Sequence, residues 1–144
     1  MITIQRVTQP QDIQQCHAIR VKVFVEEQNI SLEEEFDGLD VQSDHYLLTI
    51  DKAPIGTARV RYDEGKAKIE RVAILSTHQG HGLGKQLMEI MIADIKSSKK
   101  CNTIILGAQT HAIPFYEKLG FMVSSDVFMD AGIPHKNMTL VLSR

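Results

Sequence analysis

The stretch THQGHGLGKQL, residues 77–87, sets Gly80, Gly82 and Gly84 at alternating positions just before a helical pattern. These three are a third of the nine glycines in the chain. Glycine loses more backbone freedom on folding than any other residue, so this density asks for a reason. Upstream, KAKIERVAIL (66–75) reads as a strand. Downstream, Leu83, Leu87, Ile90, Met91 and Ile95 share one helical stripe. A glycine loop between a strand and a helix gathers backbone N–H groups where the helix dipole favours an anion. A phosphate site is the physical default for it.

The rest of the chain alternates between the same two periods. Ile2, Ile4 and Val7 alternate as a first strand would. Asp12 is placed to cap a helix through Ile13, Cys16, Ile19, Arg20, Val23 and Phe24. An acidic loop closes near Asp37-Gly38. HYLLTI (45–50), IGTARVRY (55–62) and KAKIERVAIL (66–75) then suit an antiparallel meander with short hairpins. TIILGA (103–108) reads as a buried strand, Ala112–Leu119 as a short helix ended by Gly120, and 121–129 and 137–142 as two last strands. This order predicts a mixed α/β (α+β) domain over 1–144. Its sheet would be partly antiparallel, with parallel pairing around the central helix.

Spacing tests two phosphate loops. A Walker A loop requires GxxxxGK followed by Ser or Thr, but Gln86 follows Gly84-Lys85 and Gln79 stands where the first glycine belongs. A dinucleotide fingerprint requires GxGxxG at the opening of a βαβ unit, whereas the rhythm here is GxGxG after the fourth predicted strand. Neither nucleotide reading fits.

Gln79-Gly80-His81-Gly82-Leu83-Gly84 matches Q/R-x-x-G-x-G/A, and Pro114-Phe115-Tyr116-Glu117-Lys118-Leu119-Gly120-Phe121 follows some thirty residues on. Together with the preceding strand Val72-Ala73-Ile74-Leu75, these segments resemble the GNAT (Gcn5-related) N-acetyltransferases along essentially the whole chain. Val25-Glu26-Glu27-Gln28, Glu35-Phe36-Asp37, His45, Gly107-Ala108-Gln109 and Gly132-Ile133-Pro134-His135 look like its YjcF and ElaA type branch. The resemblance implies a mostly antiparallel central sheet of about six or seven strands, flanked by about four helices, with a splayed strand at the cofactor site. It also implies acetyl-CoA as donor and direct attack by an amine in a ternary complex. A non-catalytic acyl-CoA-binding module on the same fold is the alternative.

Carried over residue by residue, the resemblance gives Gln79, Gly80, His81, Gly82, Leu83, Gly84 and Lys85 to the pyrophosphate. Val72, Ala73 and Ile74 would pair with the pantetheine arm through their backbone, and the Ile74 amide would polarise the thioester carbonyl. Gln109 stands where many members carry an asparagine that contacts the pantetheine. Tyr116 matches the general acid toward the departing thiolate, and Glu70 a carboxylate used as base, with His45 and His135 as rivals. Phe24, Glu27, Phe36, His45, Phe128 and His135 are candidates for contact with the acceptor, along segments 24–37 and 128–136. His111 reads as a neighbour of a helix N-terminus rather than a catalyst.

Composition bounds the partners. Net charge is −2 over 144 residues, which gives no general attraction to nucleic acid. No run approaches the roughly 18 apolar residues of a membrane span. MITIQRVTQPQD lacks the charged and apolar regions of a secretory signal, so a cytoplasmic location is expected. Cys16 and Cys101 read as two free thiols, and no triad spacing is visible around either that would make it an acyl-enzyme nucleophile. His78 and His81 lack the acid or cysteine that would complete a ligand set, so no metal is expected. Nine of the 18 acids lie between Val23 and Asp51, a stretch without lysine or arginine. They suit either a solvated face or a field that draws in a cationic amine. A small-molecule or peptide amine is the expected acceptor, and a homodimer is common among such relatives.

Overall fold

The computed structural model describes residues 1–142. β1 (Ile2–Val7) leads into α1 (Pro10–Arg20), which continues without a break into a π-helical turn, Val21–Glu27. Pro10 opens α1, where its missing N–H costs nothing, and Asp12 sits in the first turn rather than at the cap. A one-turn helix, α2 (Leu32–Glu35), is capped by Ser31 Oγ, which accepts from the Glu34 amide. β2 (Asp44–Ile50), β3 (Ala53–Asp63) and β4 (Lys66–Ile74) form the expected meander. α3 (Leu83–Ser98) and β5 (Thr103–Gln109) follow, then α4 (Ile113–Glu117), β6 (Met122–Val123), β7 (Phe128–Asp130) and β8 (Ile133–Val141).

All eight strands join one mixed sheet, in the order β1-β2-β3-β4-β5-β8-β6 with β7 also paired to β8. The predicted strand 121–129 is two short strands. Between them the ladder is carried partly by a side chain: Ser125 Oγ accepts from the Asn137 amide at 2.8 Å, while the Ser124 amide donates to the Asn137 carbonyl. This break supplies the strand beyond the expected six or seven.

The sheet is covered on both faces. Leu87, Met88, Met91 and Ile95 of α3 pack on Ile69, Ile104, Leu106 and Met138, all nearly inaccessible to solvent. On the opposite face Cys16, Ile19, Val23 and Phe24 pack on Leu47 and Ala73.

Two irregularities of β4 shape the site. Its pairing with β5 is parallel and covers only Lys66–Lys68 against Thr103–Ile105. Beyond that the strands diverge while each keeps its outer partner, β3 or β8. Just past the divergence β4 carries a bulge. Between the pairs Arg59↔Glu70 and Thr57↔Ala73, β3 advances two residues and β4 three. Arg71 absorbs the extra residue in the left-handed region, at φ +58°. The bulge shifts the alternation by one, so Val72 and Ile74 join Ile69 on the α3 face and Ala73 faces α1.

Candidate functional site

The split between β4 and β5 opens a cavity of about 430 Å³, within the range of small-ligand sites. Glu70–Ile74 form one wall, and Leu106, Gly107 and Gln109 of β5 the other. Val23, Phe24, Gln28 and Ile30 close it from the first helix, Ala112 and Tyr116 from α4, and Phe128, Asp130, His135 and Asn137 from the last hairpin. Both strands present unpaired backbone edges to this gap, the arrangement that accepts an extended ligand as an added strand.

The glycine loop stands at the same end of the sheet, directly after β4. Gly80 and Gly82 have φ of +83° and +77°, where a side chain is strained. Gly84 serves packing instead: a Cβ there would meet the Phe115 ring at 3.4 Å. The Gly82 carbonyl accepts from the Gln86 amide, so the amides of Leu83, Gly84 and Lys85 have no acceptor within the helix. They point out of the α3 N-terminus as a concave donor set. Gln79 lines the cavity, and its side-chain amide donates to the Ile74 carbonyl at 2.9 Å, tying the loop to the end of β4. Lys85 is exposed in the first turn. His78 lies against Thr77 Oγ1, and among the described residues no group of three or more His, Cys, Asp or Glu could hold a metal.

Tyr116 lines the cavity with its ring edge-on to Phe115 and Phe121. Burial pushes its phenol up to about 12, so it stays protonated at neutral pH. Among the described residues nothing hydrogen-bonds its hydroxyl. Gln109 also lines the cavity, and its amide donates to Gln28 Oε1 at 2.8 Å while its oxygen faces His111 Nε2 at 2.7 Å. Gln28 thus reaches across the cleft from the end of the π-helical turn. Helices of this type are rare and frequently lie at functional sites; the sequence offered Gln28 only within the Val25–Gln28 segment of the branch resemblance, with no sign of π-helical pairing.

The base candidates separate. Glu70 lines the cavity, but its Oε1 accepts from Arg61 at 2.8 Å and from Arg59 at 3.2 Å. Oε2 has only Lys68, at 3.9 Å. His135 lines the cavity with its ring stacked on Phe128. Its Nδ1 donates to the Ile133 carbonyl at 2.7 Å, which leaves Nε2 as the ring's lone-pair nitrogen. His45 is elsewhere, buried on β2, with Nε2 donating to the Asp40 carbonyl and its ring edge-on to His17. Phe24 and Phe128 line the cavity; Glu27 and Phe36 do not. Glu27 instead accepts from Ser76, and Phe36 packs against the His17 ring and the Arg20 guanidinium.

The acidic segment divides: Glu26, Glu27, Glu33, Glu34, Asp37 and Asp51 are exposed, as on a solvated face, while Glu35 is buried and Asp40 half-buried. Glu35, 1% exposed, accepts from Arg20 at 2.5 Å. Asp40 accepts from Arg20 and Arg59, at 2.7 and 2.8 Å, and Asp37 accepts from Arg59 and Arg71. Burial alone would raise the Asp37 carboxyl, but hydrogen bonds from Arg59 and the Leu39 amide hold it at about 2. Elsewhere in the segment Asp51 pairs with the N-terminus and Glu26 with Lys22. The expected field is largely consumed by internal ion pairs, a placement the segment's own lack of cations concealed.

The Acetyltransferase (GNAT) domain model matches residues 8–142. The chain belongs to the GNAT acetyltransferase family. It is 40% identical to the uncharacterized N-acetyltransferase YjcF of Bacillus subtilis over 83% of this chain and 86% of that one. The crystal structure of Escherichia coli ElaA superposes with a TM-score of 0.89 at 26% identity, covering 97% of this chain and 99% of ElaA. An acyl-CoA N-acyltransferase from Pseudomonas aeruginosa gives a TM-score of 0.86 at 27% identity, over 98% of this chain and 99% of that one. Family membership supports N-acyltransferase activity in general terms. No helix of the described residues is long and apolar enough to cross a membrane.

Proposed function

We propose that the chain transfers an acetyl group from acetyl-CoA to an amine by direct attack within a ternary complex. The observation that carries this reading is the continuity of two binding surfaces. A split sheet with free backbone edges runs into a helix N-terminus with three free amides. A coenzyme A donor has that shape: an extended amide-bearing arm ending in a pyrophosphate. In this reading the 79–85 loop holds the pyrophosphate, with Lys85 adding a charge-assisted contact. The β4 edge at Val72–Ile74 pairs with the arm, and Gln109 contacts it from β5. The Ile74 amide polarises the thioester carbonyl.

The acceptor enters from the side of Phe24, Phe128 and His135. Its ammonium must lose a proton before attack. Two acceptors of that proton face the cleft, Glu70 through Oε2 or a water, and His135 through Nε2. Tyr116 donates its hydroxyl hydrogen toward the departing sulfur. The buried thiol of Cys16 lies on the far side of the sheet from α3, its Sγ donating to the Tyr46 carbonyl, and burial raises its pKa. It takes no part.

The test has two stages. Thermal shift with acetyl-CoA, ATP and NAD is expected to show the largest rise with acetyl-CoA. A larger rise with ATP or NAD overturns the donor assignment. An amine panel read by release of free thiol then separates enzyme from binder. Binding of acetyl-CoA with no release across a broad panel favours the non-catalytic module.

A further inference from the structure

Arg71 is the one residue within β4 that stands in the left-handed region, and it is not glycine. A Cβ in that region is crowded, so this conformation persists only where its surroundings hold it. What holds it is its own side chain. Nη2 lies 3.2 Å from each of the Glu34 and Glu35 carbonyls and 3.2 Å from Asp37 Oδ2. Nε lies 3.1 Å from Glu35 Oε1, an ion pair without hydrogen-bond geometry. The anchor is itself fixed. Glu35 is gripped by Arg20 of α1, and Asp37 by Arg59 of β3, and both arginines are buried. The guanidinium therefore ties the bulge to a loop braced on two other elements.

The bulge has a functional consequence in the alternation of β4. With it, Val72 and Ile74 face α3 and Ala73 faces α1. In an unbulged strand the phase would slip by one residue, and the three side chains and their backbone amides would exchange directions. The free edge assigned to the donor arm would then turn its other set of groups to the cleft.

We propose that Arg71 is a positioning residue, whose side chain, anchored on the Glu35–Asp37 loop, holds the left-handed bulge that presents the Val72–Ile74 edge to the donor. The assignment of that edge rests on the acetyl-CoA reading above. Arg71 also lines the cavity wall, so a direct contact with the donor is the rival to an effect through the backbone of β4; a direct contact would be lost equally in the alanine and glycine variants.

The test uses substitutions that separate strain from tether. Arg71→Ala removes the tether and keeps the Cβ that opposes φ +58°. Arg71→Gly removes both, because glycine accepts that region freely. Acetyl-CoA affinity is measured by calorimetry, and amide hydrogen exchange across 70–74 is measured in the ligand-free protein. Arg71→Ala is expected to weaken binding tenfold or more and to speed exchange across 70–74, with Arg71→Gly within threefold of wild type in both. Should Arg71→Ala fail to fold, Arg71→Met keeps the packing of the stem and takes its place. Equal losses in the alanine and glycine variants, or wild-type behaviour in both, overturn the proposal. If the wild-type chain does not bind acetyl-CoA, the donor reading fails by itself. Exchange in the free protein still decides whether Arg71 holds the bulge.

Discussion

Replacing Tyr116 with phenylalanine removes one hydroxyl from the cleft and tests what that hydroxyl does. The phenol sits at about 12 through burial. A thiol such as that of the departing coenzyme has a reference pKa of about 8.5. Complete proton transfer from this phenol to the thiolate is then uphill by about 3.5 units, or about 5 kcal/mol. A hydrogen bond donated to a forming thiolate avoids that penalty and contributes about 1.5–3 kcal/mol. The structure therefore favours hydrogen-bond donation over full general acid catalysis. Tyr116→Phe should lower kcat by about 10- to 150-fold, with acetyl-CoA affinity unchanged within twofold. Because the hydroxyl has no protein partner among the described residues, its loss strands no buried group. Unfolding free energy should stay within about 0.5 kcal/mol. The assay is thiol release with an amine from the panel, followed across pH. The kcat/KM profile reports groups of the free enzyme, so Tyr116 should cause no fall below about pH 10. Wild-type turnover in the variant would remove Tyr116 from the reaction. A loss beyond about 10⁴-fold, or a basic limb near pH 9 that disappears in the variant, would refute the hydrogen-bond argument.

Three further outcomes follow from the same geometry. Gly82→Ala forces a Cβ into φ +77° and should destabilise the fold by about 1–2 kcal/mol in urea unfolding while weakening acetyl-CoA binding. The double variant Cys16→Ser, Cys101→Ser should keep full turnover in the thiol-release assay; loss of turnover in a folded protein would sink direct transfer. Asp37 has a depressed folded-state pKa of about 2, so its stabilisation is present above its ordinary value near 3.8 and lost as pH falls toward 2. Urea midpoints measured at pH 7, 4 and 2.5 should fall most steeply below pH 4, and Asp37→Asn should flatten that part of the curve.

Much of the architecture was legible because it rests on local patterns. The period-two runs of β2–β4 and most of the stripe from Leu83 to Ile95 follow from residue spacing, although Ile90 stands exposed and Met88 is buried in its place, and α4 ends at Glu117, three residues before Gly120. The positive φ of Gly80 and Gly82 is what their density in the loop required. One signal was present but easily passed over. Ala67 and Ile69 alternate on one phase, and Val72 and Ile74 resume on the other, which is the imprint of the bulge at Arg71.

The sequence by itself determined the order of elements, the place of the anion loop and the family, because each depends on residues close together in the chain. Tertiary structure alone decided which distant groups meet. It moved His45, Glu27 and Phe36 away from the cavity and brought Gln28 across it to Gln109. It also set Glu35, Asp37 and Asp40 onto Arg20, Arg59 and Arg71, while Glu33 and Glu34 stay exposed. The reason is physical. Those three arginines come from α1, β3 and β4, and the two that the closing sheet buries, Arg20 and Arg59, require nearby carboxylates to remain charged. Composition counts such charges but does not say which ones share a site.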